Sequence, residues 1–220
     1  MLLTNDIYTY IWNNPSANNS NTYLIRGDVT TLIDPGHRQF AEDLKKAIEK
    51  DGISLEEIKL IINTHLHPDH FEATCEFTLH GALSTNFLVE DNYLNEILNF
   101  FPQAGMDVPK FQVDFFLSEG DLILGDKLLK IFHTTGHSLC STCLYLPEKK
   151  LLFAGDLIFL EGVGRTDIPY GNGEELKKSI EKMAELDIDV ILPGHGNIVQ
   201  GKENVLKNFS LIRQVYYNHI

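Results

Sequence analysis

The chain has 220 residues, of which 43% are hydrophobic, and a formal net charge of -13. A chain of this length can bury a sizeable core without disulfides, so we predict a single domain spanning residues 1–220. The acidic balance and the lack of any basic run argue against a nucleic-acid partner, because affinity for phosphate backbones depends on clustered lysine and arginine. Composition therefore indicates a globular domain that does not act on nucleic acid.

Targeting signals and cysteine usage bear on where the protein acts. The first residues contain neither a basic leader with a long apolar core nor a small-residue cleavage site, and no segment is apolar enough to cross a bilayer. Three cysteines without a disulfide framework suit a reducing compartment. We therefore predict a cytoplasmic protein with no membrane partner. Cys140 and Cys143 have the spacing of a zinc or redox pair, but a structural zinc site normally needs a second pair, so a packing role is favoured.

The first third of the chain alternates strand signals with turns. Three β-prone runs, separated by Asn/Ser-rich and Gly-Asp breaks, predict an antiparallel meander: residues 7–12, 22–26 and 29–33. Residues 39–50 have apolar side chains at the spacing of one helical stripe, which predicts a helix that Gly52 ends. Residues 58–62 then form a predicted buried strand.

Helices and strands alternate in the rest of the chain. Periodic apolar residues predict helices over residues 71–79, 90–101, 174–186 and 203–217. Apolar runs predict strands over residues 111–117, 128–132, 143–146, 151–154 and 190–192. The proline-bracketed piece at residues 101–109 is compatible with a loop over a pocket and with an ordinary packed connection, and the sequence leaves both open.

The most informative stretch is Thr64-His65-Leu66-His67-Pro68-Asp69-His70, which places four potential metal ligands after the predicted strand 58–62. Alternate side chains of an extended backbone share a face, so His65 and His67 can point at one ion. Pro68 ends the strand, and Asp69 and His70 follow at a turn or helix start, where they can face a second ion. Imidazole and carboxylate groups are preferred metal ligands, which favours a metal centre over a histidine-rich surface turn.

Three further candidate ligands stand in a common setting. Each follows a predicted strand by a few residues, and a glycine directly precedes each of them: His137, Asp156 and His195. Loops at one rim of a sheet can converge on a single site, so we predict that these residues meet the first four. The remaining histidines lack this complete setting and are assigned no metal, although His133 could support the site or pack beside it: His37, His80, His133 and His219.

With these residues, the sequence resembles the metallo-β-lactamase superfamily, whose signature His-x-His-x-Asp-His matches residues 65–70. The match continues in order through His137, Asp156 and His195, and it extends from Asp34-Pro35-Gly36 to Pro193-Gly194-His195-Gly196. The resemblance implies an α/β fold, a four-layer αβ/βα sandwich. In that fold, two mixed β-sheets are flanked by helices and the metals lie at one edge.

The resemblance also implies a ligand set. It puts His65, His67 and His137 on one metal and Asp69, His70 and His195 on the other, with Asp156 bridging. It implies two divalent metal ions, zinc first, with iron or manganese as alternatives. A water between two such ions loses a proton near neutral pH while a metal polarises the substrate carbonyl, so hydrolysis is the expected reaction. Asp69 is the predicted catalytic residue, which would orient the nucleophile or shuttle its proton.

Within the superfamily, the chain is most similar to the glyoxalase II-like group, in which a Gly-Arg-Thr-Asp loop often follows the bridging aspartate, as residues 164–167 do here. This similarity implies a hydrolase of a small-molecule thioester, ester or lactone. Arg165 and Tyr170 are candidate substrate-binding residues, although a loop held by an Arg–Asp pair is the favoured role for Arg165. Full-length glyoxalase II binds glutathione with a helical C-terminal domain, and a single predicted helix after His195 counts against that substrate.

The similarity leaves a second reaction open. Persulfide dioxygenases share the motif and the Gly-Arg-Thr-Asp loop but use one iron held by two histidines and an aspartate, which here would be His65, His137 and Asp156. Histidine and aspartate bind iron and zinc alike, so ligand identity does not separate the two reactions. The intact two-metal set favours the hydrolase. A non-catalytic binding module is disfavoured, because no metal ligand is missing from the sequence.

Overall fold

The computed structural model describes residues 2–14, 16–89, 96, 99–101, 103 and 112–220. Within that part of the chain, the strands form two large sheets and one small ribbon. The predicted helix at residues 90–101 and the predicted loop at residues 101–109 lie mostly outside it, so both stay predictions. Of the helices described, none is long and apolar enough to cross a membrane.

The first sheet has seven strands, which follow one another in chain order. They are β1 (Leu2–Thr4), β2 (Ile7–Tyr10), β3 (Thr22–Ile25), β4 (Thr30–Ile33), β5 (Ile58–Ile62), β6 (Leu83–Phe87) and β7 (Phe115–Leu117). Strands β1 to β4 pair antiparallel, whereas β4 to β7 pair parallel. The predicted antiparallel meander is therefore confirmed, and it continues into a parallel half.

The second sheet has six strands in the order β15-β14-β11-β10-β9-β8. The strands of this half of the chain are β8 (Gly120–Leu124), β9 (Lys127–His133), β10 (Thr142–Leu146), β11 (Leu151–Gly155), β12 (Ile158–Phe159), β13 (Gly162–Val163), β14 (Val190–Pro193) and β15 (Val199–Gln200). Strands β11 and β14 pair parallel, and the other neighbours in this sheet pair antiparallel. Strands β12 and β13 form the separate ribbon.

Helices cover the outer faces of both sheets. They are α1 (Ala41–Lys50), α2 (Pro68–Phe71), α3 (Thr74–Thr78), α4 (Gly173–Ala184) and α5 (Lys202–Val215). Ile48 of α1 and Phe77 of α3 pack on the first sheet, and α4 and α5 pack on the second sheet through residues such as Ile180 and Phe209. Residues from both sheets share an inner core that includes Phe153. The predicted four-layer sandwich of two mixed sheets flanked by helices is confirmed.

The predicted helix over residues 71–79 is wrong in detail, because two short helices, α2 and α3, occupy this region. The amide of Ala73 donates to the carbonyl oxygen of Gly36 at 2.8 Å, rather than to the carbonyl of Asp69 one turn earlier. The Asp69 carbonyl instead accepts from the amide of Ser20 at 3.0 Å. Contacts with distant loops therefore replace helical hydrogen bonds here and divide the helix.

Strands that lack an apolar pattern were not predicted. Strand β6 is the clearest case, because three of its five residues are polar and fully buried: Ser84, Thr85 and Asn86. The short strands β1, β8, β12, β13 and β15 were missed as well. Strand β8 pairs with β9 in a hairpin. In the described residues, the predicted strand over residues 111–117 is limited to β7.

Candidate metal centre

Loops from both sheets bring the predicted ligands together. The segment from His65 to His70 follows β5 of the first sheet and runs into α2, whose first residue is Pro68. Proline is favoured at the first helical position, so it ends the extended segment and begins the helix that carries Asp69 and His70. The other ligands follow β9, β11 and β14 of the second sheet: His137, Asp156 and His195.

Three histidines form the first cluster, which we call the triple-histidine group: His65, His67 and His137. One ligand atom from each lies within 4.8 Å of the others. The ring centroids of His65 and His67 are 4.6 Å apart, and Nδ1 of His67 is 2.8 Å from Nε2 of His137. The alternation of His65 and His67 along an extended chain thus places both rings on one side, facing the third histidine.

A carboxylate and two histidines form the second cluster, which we call the mixed group: Asp69, His70 and His195. Their ligand atoms also lie within 4.8 Å of one another. Nε2 of His195 is 3.2 Å from Oδ2 of Asp69 and 3.3 Å from Nε2 of His70. Asp69 and His70 come from one turn of α2, whereas His195 comes from the loop after β14, so the cluster joins both sheets.

Asp156 lies between the two groups. Its Oδ1 is 3.3 Å from Nε2 of His70, and its Oδ2 is 3.5 Å from Nε2 of His137 and 3.5 Å from Nε2 of His195. One carboxylate oxygen therefore lies beside His70, and the other lies beside a histidine of each group. Asp156 also forms a cluster with His65 and His70, with one ligand atom of each within 4.8 Å of the others. The position is that of a carboxylate able to contact ions in both groups.

All three glycines that precede a candidate ligand are required by close packing, and a Cβ at Gly136 would lie 2.3 Å from the backbone nitrogen of Leu176. Gly155 has φ +47, and a Cβ at this position would lie 2.6 Å from Oγ1 of Thr64. A Cβ at Gly194 would lie 2.2 Å from Oδ1 of Asp156 and 2.8 Å from Cε1 of His70. A larger residue at Gly194 would displace Asp156 and His70, and one at Gly155 would displace Thr64, whose hydroxyl contacts His65. These close contacts give a physical reason for the glycine before Asp156 and before His195.

Backbone carbonyl groups orient two of the histidines. The carbonyl oxygen of Arg165 lies 2.8 Å from Nδ1 of His137, and that of Asn19 lies 3.1 Å from Nδ1 of His195. A carbonyl oxygen only accepts hydrogen bonds, so Nδ1 of each ring must carry the proton. Each ring consequently turns Nε2 toward the centre, as is usual for histidines that bind metal.

Asp34 is a supporting residue that was not assigned a role from the sequence. Its buried carboxylate lies 2.9 Å from Nδ1 of His70 and accepts hydrogen bonds of 2.7 Å from both the amide and the hydroxyl group of Thr64. The Thr64 hydroxyl lies 3.1 Å from Nδ1 of His65. Asp34 thus links one histidine of each group, and its place in the Asp-Pro-Gly match was the only sequence signal for it.

The two groups differ in charge. Burial, followed by the neighbouring histidines, lowers the pKa of His67 to about 3, and burial also lowers the pKa values of His65 and His137. Burial opposes the charged form of His195 and His70 too, but in the mixed group the surrounding carboxylates outweigh it. They raise the pKa of His195 to about 9 and the pKa of His70 well above its usual value.

The residues present fit a metal ion. Among the described residues, Nε2 of His65 and Oδ1 of Asp156 are buried and have no hydrogen-bond partner. A buried polar atom without a partner costs about 1–3 kcal/mol, so such an atom normally contacts a bound ion or water or has a functional role. His65 and Asp156 belong to one cluster whose ligand atoms lie within 4.8 Å of one another, and imidazole nitrogen and carboxylate oxygen are ligands for zinc, iron and manganese.

A cavity of about 700 Å³ opens beside the two groups. One part of its wall is polar and consists of Asn18, His67, Asp69, His137, Asp156 and His195. The other part is largely apolar and includes aromatic side chains. Nδ2 of Asn18 donates a hydrogen bond of 2.5 Å to Oδ2 of Asp69, a contact with no signal in the sequence. The volume is that of pockets that bind small molecules.

The two candidate substrate residues have different positions. Arg165 lines the cavity, and its exposed guanidinium pairs with the Asp167 carboxylate through contacts of 2.8 and 3.0 Å. The Arg–Asp pair expected of this loop is therefore present. Tyr170 is not among the described residues that line the cavity, and its hydroxyl lies 2.5 Å from Oε2 of Glu96.

Other histidines and cysteines lie outside the two groups. His133 stacks on Phe87 with ring centroids 4.1 Å apart, and its Nε2 lies 2.7 Å from the carbonyl oxygen of Leu139, so it packs rather than supports a ligand. Cys140 and Cys143 are buried, and burial raises the pKa of the Cys143 thiol to about 12. A thiol with such a pKa is unreactive at neutral pH, in keeping with the packing role predicted.

Comparison with known proteins identifies the family. Residues 16–195 match the model of the metallo-beta-lactamase superfamily. The match covers most of the chain, which therefore belongs to the metallo-beta-lactamase superfamily, as its motif had indicated. Membership and the clustered histidine and carboxylate ligands together support a metal-dependent enzyme.

Several relatives are similar over most of their length. A probable metallo-hydrolase of Methanocaldococcus jannaschii is 35% identical over 190 residues, which cover 81% of this chain and 88% of that protein. Hydroxyacylglutathione hydrolase GloC of Haemophilus influenzae is 34% identical over 176 residues, which cover 76% of this chain and 79% of that protein. An acyl-coenzyme A thioesterase of Gallus gallus is 31% identical over 210 residues, which cover 83% of this chain and 74% of that protein. A protein crystallised in a di-iron-bound form superposes with a TM-score of 0.72 at 26% identity, covering 86% of this chain and 93% of that chain.

Proposed function

We propose that the protein is a binuclear, metal-dependent hydrolase of the glyoxalase II-like type, which cleaves a thioester, ester or lactone of a small molecule. The observation that carries the proposal is the convergence of six candidate ligands around a seventh, Asp156, in a cluster where two buried ligand atoms have no hydrogen-bond partner. The adjoining cavity is of a size for a small-molecule substrate.

In this proposal, each group holds one ion and Asp156 contacts both. The triple-histidine group would hold the first ion and the mixed group the second, with zinc as the preferred metal and iron or manganese as alternatives. Bound ions would supply a hydroxide near neutral pH and polarise the substrate carbonyl. The di-iron-bound neighbour is one reason to keep iron among the candidates.

The geometry favours an orienting role for Asp69. Burial favours its neutral form, but the charge of His70 and the hydrogen bond with His195 outweigh burial and lower the pKa of Asp69. Asp69 is therefore a carboxylate at neutral pH, and it accepts a hydrogen bond from Asn18. A carboxylate held in this way is a weak base but a good hydrogen-bond acceptor, so we assign it to position the attacking water.

A thioester is the preferred substrate within this class. Two relatives have names that specify thioester hydrolysis, one with glutathione and one with coenzyme A as the thiol. In the proposed reaction, the oxygen of water bonds to the acyl carbon and the carbon–sulfur bond breaks. The products are a carboxylate, a thiol and one proton, so no oxidant or reductant is needed.

The first test combines metal content with activity. Elemental analysis of the purified protein should find about two metal ions per chain, by the two-site assignment. A panel of a small thioester, an ester and a lactone should include at least one substrate, and chelation should abolish its cleavage while readdition of the metal restores it. Cleavage that survives complete chelation would contradict the proposal.

The same preparation tests the alternative reaction. His65, His137 and Asp156 contain the two-histidine, one-carboxylate set of a mononuclear iron dioxygenase. One result would support a persulfide dioxygenase in place of the hydrolase. It is about one iron per chain, oxygen uptake when glutathione persulfide is added, and no hydrolysis of the thioester, ester and lactone panel. The mixed group favours the hydrolase, because the dioxygenase set would leave its three clustered ligands without an ion.

Two further predictions belong to this proposal. We propose a cytoplasmic location, which the odd number of three cysteines without a disulfide framework supports, because thiols persist in a reducing compartment. Fractionation of the native host cells tests this location.

We also propose that residues 1–220 fold as one domain. A single cooperative unfolding transition of the protein tests this proposal.

A further inference from the structure

We propose that the apolar part of the cavity binds the acyl group of the substrate, and that this group is a medium-length aliphatic or an aromatic one without a charge. The inference rests on the proposed thioesterase function and adds the chemical class of its substrate. Six apolar side chains carry it: Phe100, Phe101, Phe159, Val163, Ile168 and Pro169.

Aromatic rings flank the ligand groups on two sides. The ring of Phe101, which is only 7% exposed, has its centroid 6.2 Å from that of His67. On the other side, the centroid of Phe159 lies 5.9 Å from that of His195. A carbonyl group placed between the two ligand groups would thus have an aromatic surface within reach on either side.

Further apolar residues come from separate loops. Val163 belongs to the ribbon strand β13, and Ile168 and Pro169 follow the Gly-Arg-Thr-Asp loop. The side chain of Phe100 packs beside Phe101 with ring centroids 5.5 Å apart and is itself 39% exposed. Apolar surface from several chain segments facing one cavity is the usual arrangement of a binding pocket for an apolar group.

The charges around the cavity disfavour an anionic acyl group. Of the described residues in the wall, Arg165 alone has a lysine or arginine side chain, and Asp167 already pairs with it in two contacts. A carboxylate at the far end of the acyl group would lie against the apolar wall, away from the two ligand groups, and would find no unpaired lysine or arginine among the described residues that line the cavity.

A small hydroxyacyl group would use little of this surface. Burying an additional methylene in an apolar pocket changes substrate discrimination by about 10-fold or more when the fit is close. A hydroxyl group placed against the aromatic wall would lose its hydrogen bonds to water. The cavity therefore favours a hexanoyl or phenylacetyl group over acetyl, lactoyl or succinyl.

The test holds the thiol constant and varies the acyl group. N-acetylcysteamine thioesters of acetate, lactate, hexanoate, phenylacetate and succinate are compared by kcat/KM on the metal-loaded enzyme. We expect hexanoyl or phenylacetyl to exceed acetyl and lactoyl by about 10- to 100-fold, with succinyl the poorest. Hexanoyl thioesters of glutathione and of coenzyme A are then compared to show which thiol the enzyme prefers. This second comparison does not change the order of acyl groups found with N-acetylcysteamine.

Variants identify the wall that is responsible. Phe101→Ala should lower the hexanoyl-to-acetyl ratio by about 10-fold, because it removes the ring beside His67. Ile168→Lys introduces an unpaired cation and should raise the succinyl-to-hexanoyl ratio. Phe116→Ala is the matched control, since Phe116 is exposed on β7 and is not among the described residues that line the cavity. It should leave both ratios unchanged.

Ratios of kcat/KM do not depend on the folded fraction, so a poorly folding Phe101→Ala variant still reports selectivity, and Phe101→Leu provides a milder change. Equal or higher kcat/KM for acetyl or lactoyl than for hexanoyl and phenylacetyl would overturn the inference but leave the hydrolase proposal intact. Failure of the enzyme to cleave any thioester, ester or lactone would instead overturn the proposed function.

Discussion

The triple-histidine group and the mixed group lie side by side and share Asp156, but they differ in charge in the metal-free protein. The first group is buried among other imidazoles, so its histidines are neutral at pH 7. In the second group, the carboxylates of Asp34, Asp69 and Asp156 keep His70 protonated, and Asp69 and Asp156 do the same for His195. The same residue type therefore has opposite charge states a few ångströms apart.

This difference shows what each group must do to bind a cation. A histidine binds metal through its neutral form, so protonated histidines must lose a proton first. The triple-histidine group needs no proton loss at pH 7, whereas the mixed group exchanges histidine protons for the ion. We therefore expect the first group to bind its ion with little dependence on pH near neutrality, and the second to bind more tightly as pH rises toward about 9.

Replacing the shared carboxylate should have the largest effect. Asp156→Ala removes the group that lies between both clusters. Both clusters should therefore bind their ions more weakly, and the metal content should fall well below that of the wild type. A metal ion supplies several kcal/mol of transition-state stabilisation, so hydrolysis should fall by about 10³-fold or more. Elemental analysis and kcat/KM measure the two effects. Asp167→Ala, at an exposed carboxylate paired with Arg165, is the control, and full metal content in Asp156→Ala would contradict the shared role.

A pair of matched variants should separate the two groups. His67→Gln and His195→Gln each remove one imidazole from one group, so each variant should retain about one ion per chain and lose about 100-fold in activity. His133→Gln serves as the control, because His133 packs on Phe87 and does not face the centre. If either variant keeps both ions, the division of ligands between the groups is wrong.

The pH dependence of stability should distinguish the groups in chelator-treated protein. The pKa of His195 is about 9 when folded and about 6.5 when unfolded, so its stabilisation is complete below pH 6.5 and is lost as pH rises toward 9. The pKa of His67 is about 3 when folded, so unfolding takes up a proton and stability falls as pH drops below 6.5. Tm should therefore be highest near pH 6.5, where unfolded histidine titrates.

The same two variants sharpen this prediction. His195→Gln should reduce the loss on the alkaline side, where His70 still contributes, and His67→Gln should reduce the loss on the acid side, each by about 5 °C in Tm. Thermal unfolding is followed by circular dichroism at several pH values in the presence of chelator. An alkaline loss that is the same in wild type and His195→Gln would show that the mixed group does not hold His195 in the charged form.

The clustering of the candidate ligands could be predicted from the sequence, because each candidate depends on its own side chain and on a short local pattern, and their binding of metal stays a prediction. His137 and His195 were identified because each follows a predicted strand and stands directly after a glycine. The structure places both beside residues of the His65–His70 motif. The groups that orient the ligands were not predictable in this way. The carbonyl oxygens of Arg165 and Asn19 have no residue-specific signature, since any residue carries a carbonyl group.

Parts of the fold were hidden for related reasons. Strands β9, β11 and β14 have apolar runs that the core requires, so they were predicted from periodicity. Strand β6 buries polar side chains that pair within the protein, and such pairs leave no hydrophobic pattern. The division between α2 and α3 depends on the loop at Gly36, which is distant in sequence, so local propensity could not show it.

The role of Asn18 could not be predicted for both of these reasons: it has no recognisable sequence pattern, and its contact is distant in sequence. Its replacement should have the smallest of the expected effects. It lies on the loop between β2 and β3, far from every ligand in sequence, and its amide donates to the Asp69 carboxylate. A hydrogen bond to a charged group at the rim of a cavity contributes about 1 kcal/mol, so Asn18→Ala should lower kcat/KM by about 3- to 10-fold.

Metal content should stay at the wild-type value in Asn18→Ala, because Asn18 holds Asp69 in position and is not itself a ligand in either group. Asn14→Ala is the control, since Asn14 lies on the same loop and its side chain bonds only to Ser16 among the hydrogen bonds described. A loss of one ion in Asn18→Ala would show that Asp69 needs this amide to bind metal in the mixed group. Unchanged kcat/KM would show that the other ligands hold Asp69 in place without it.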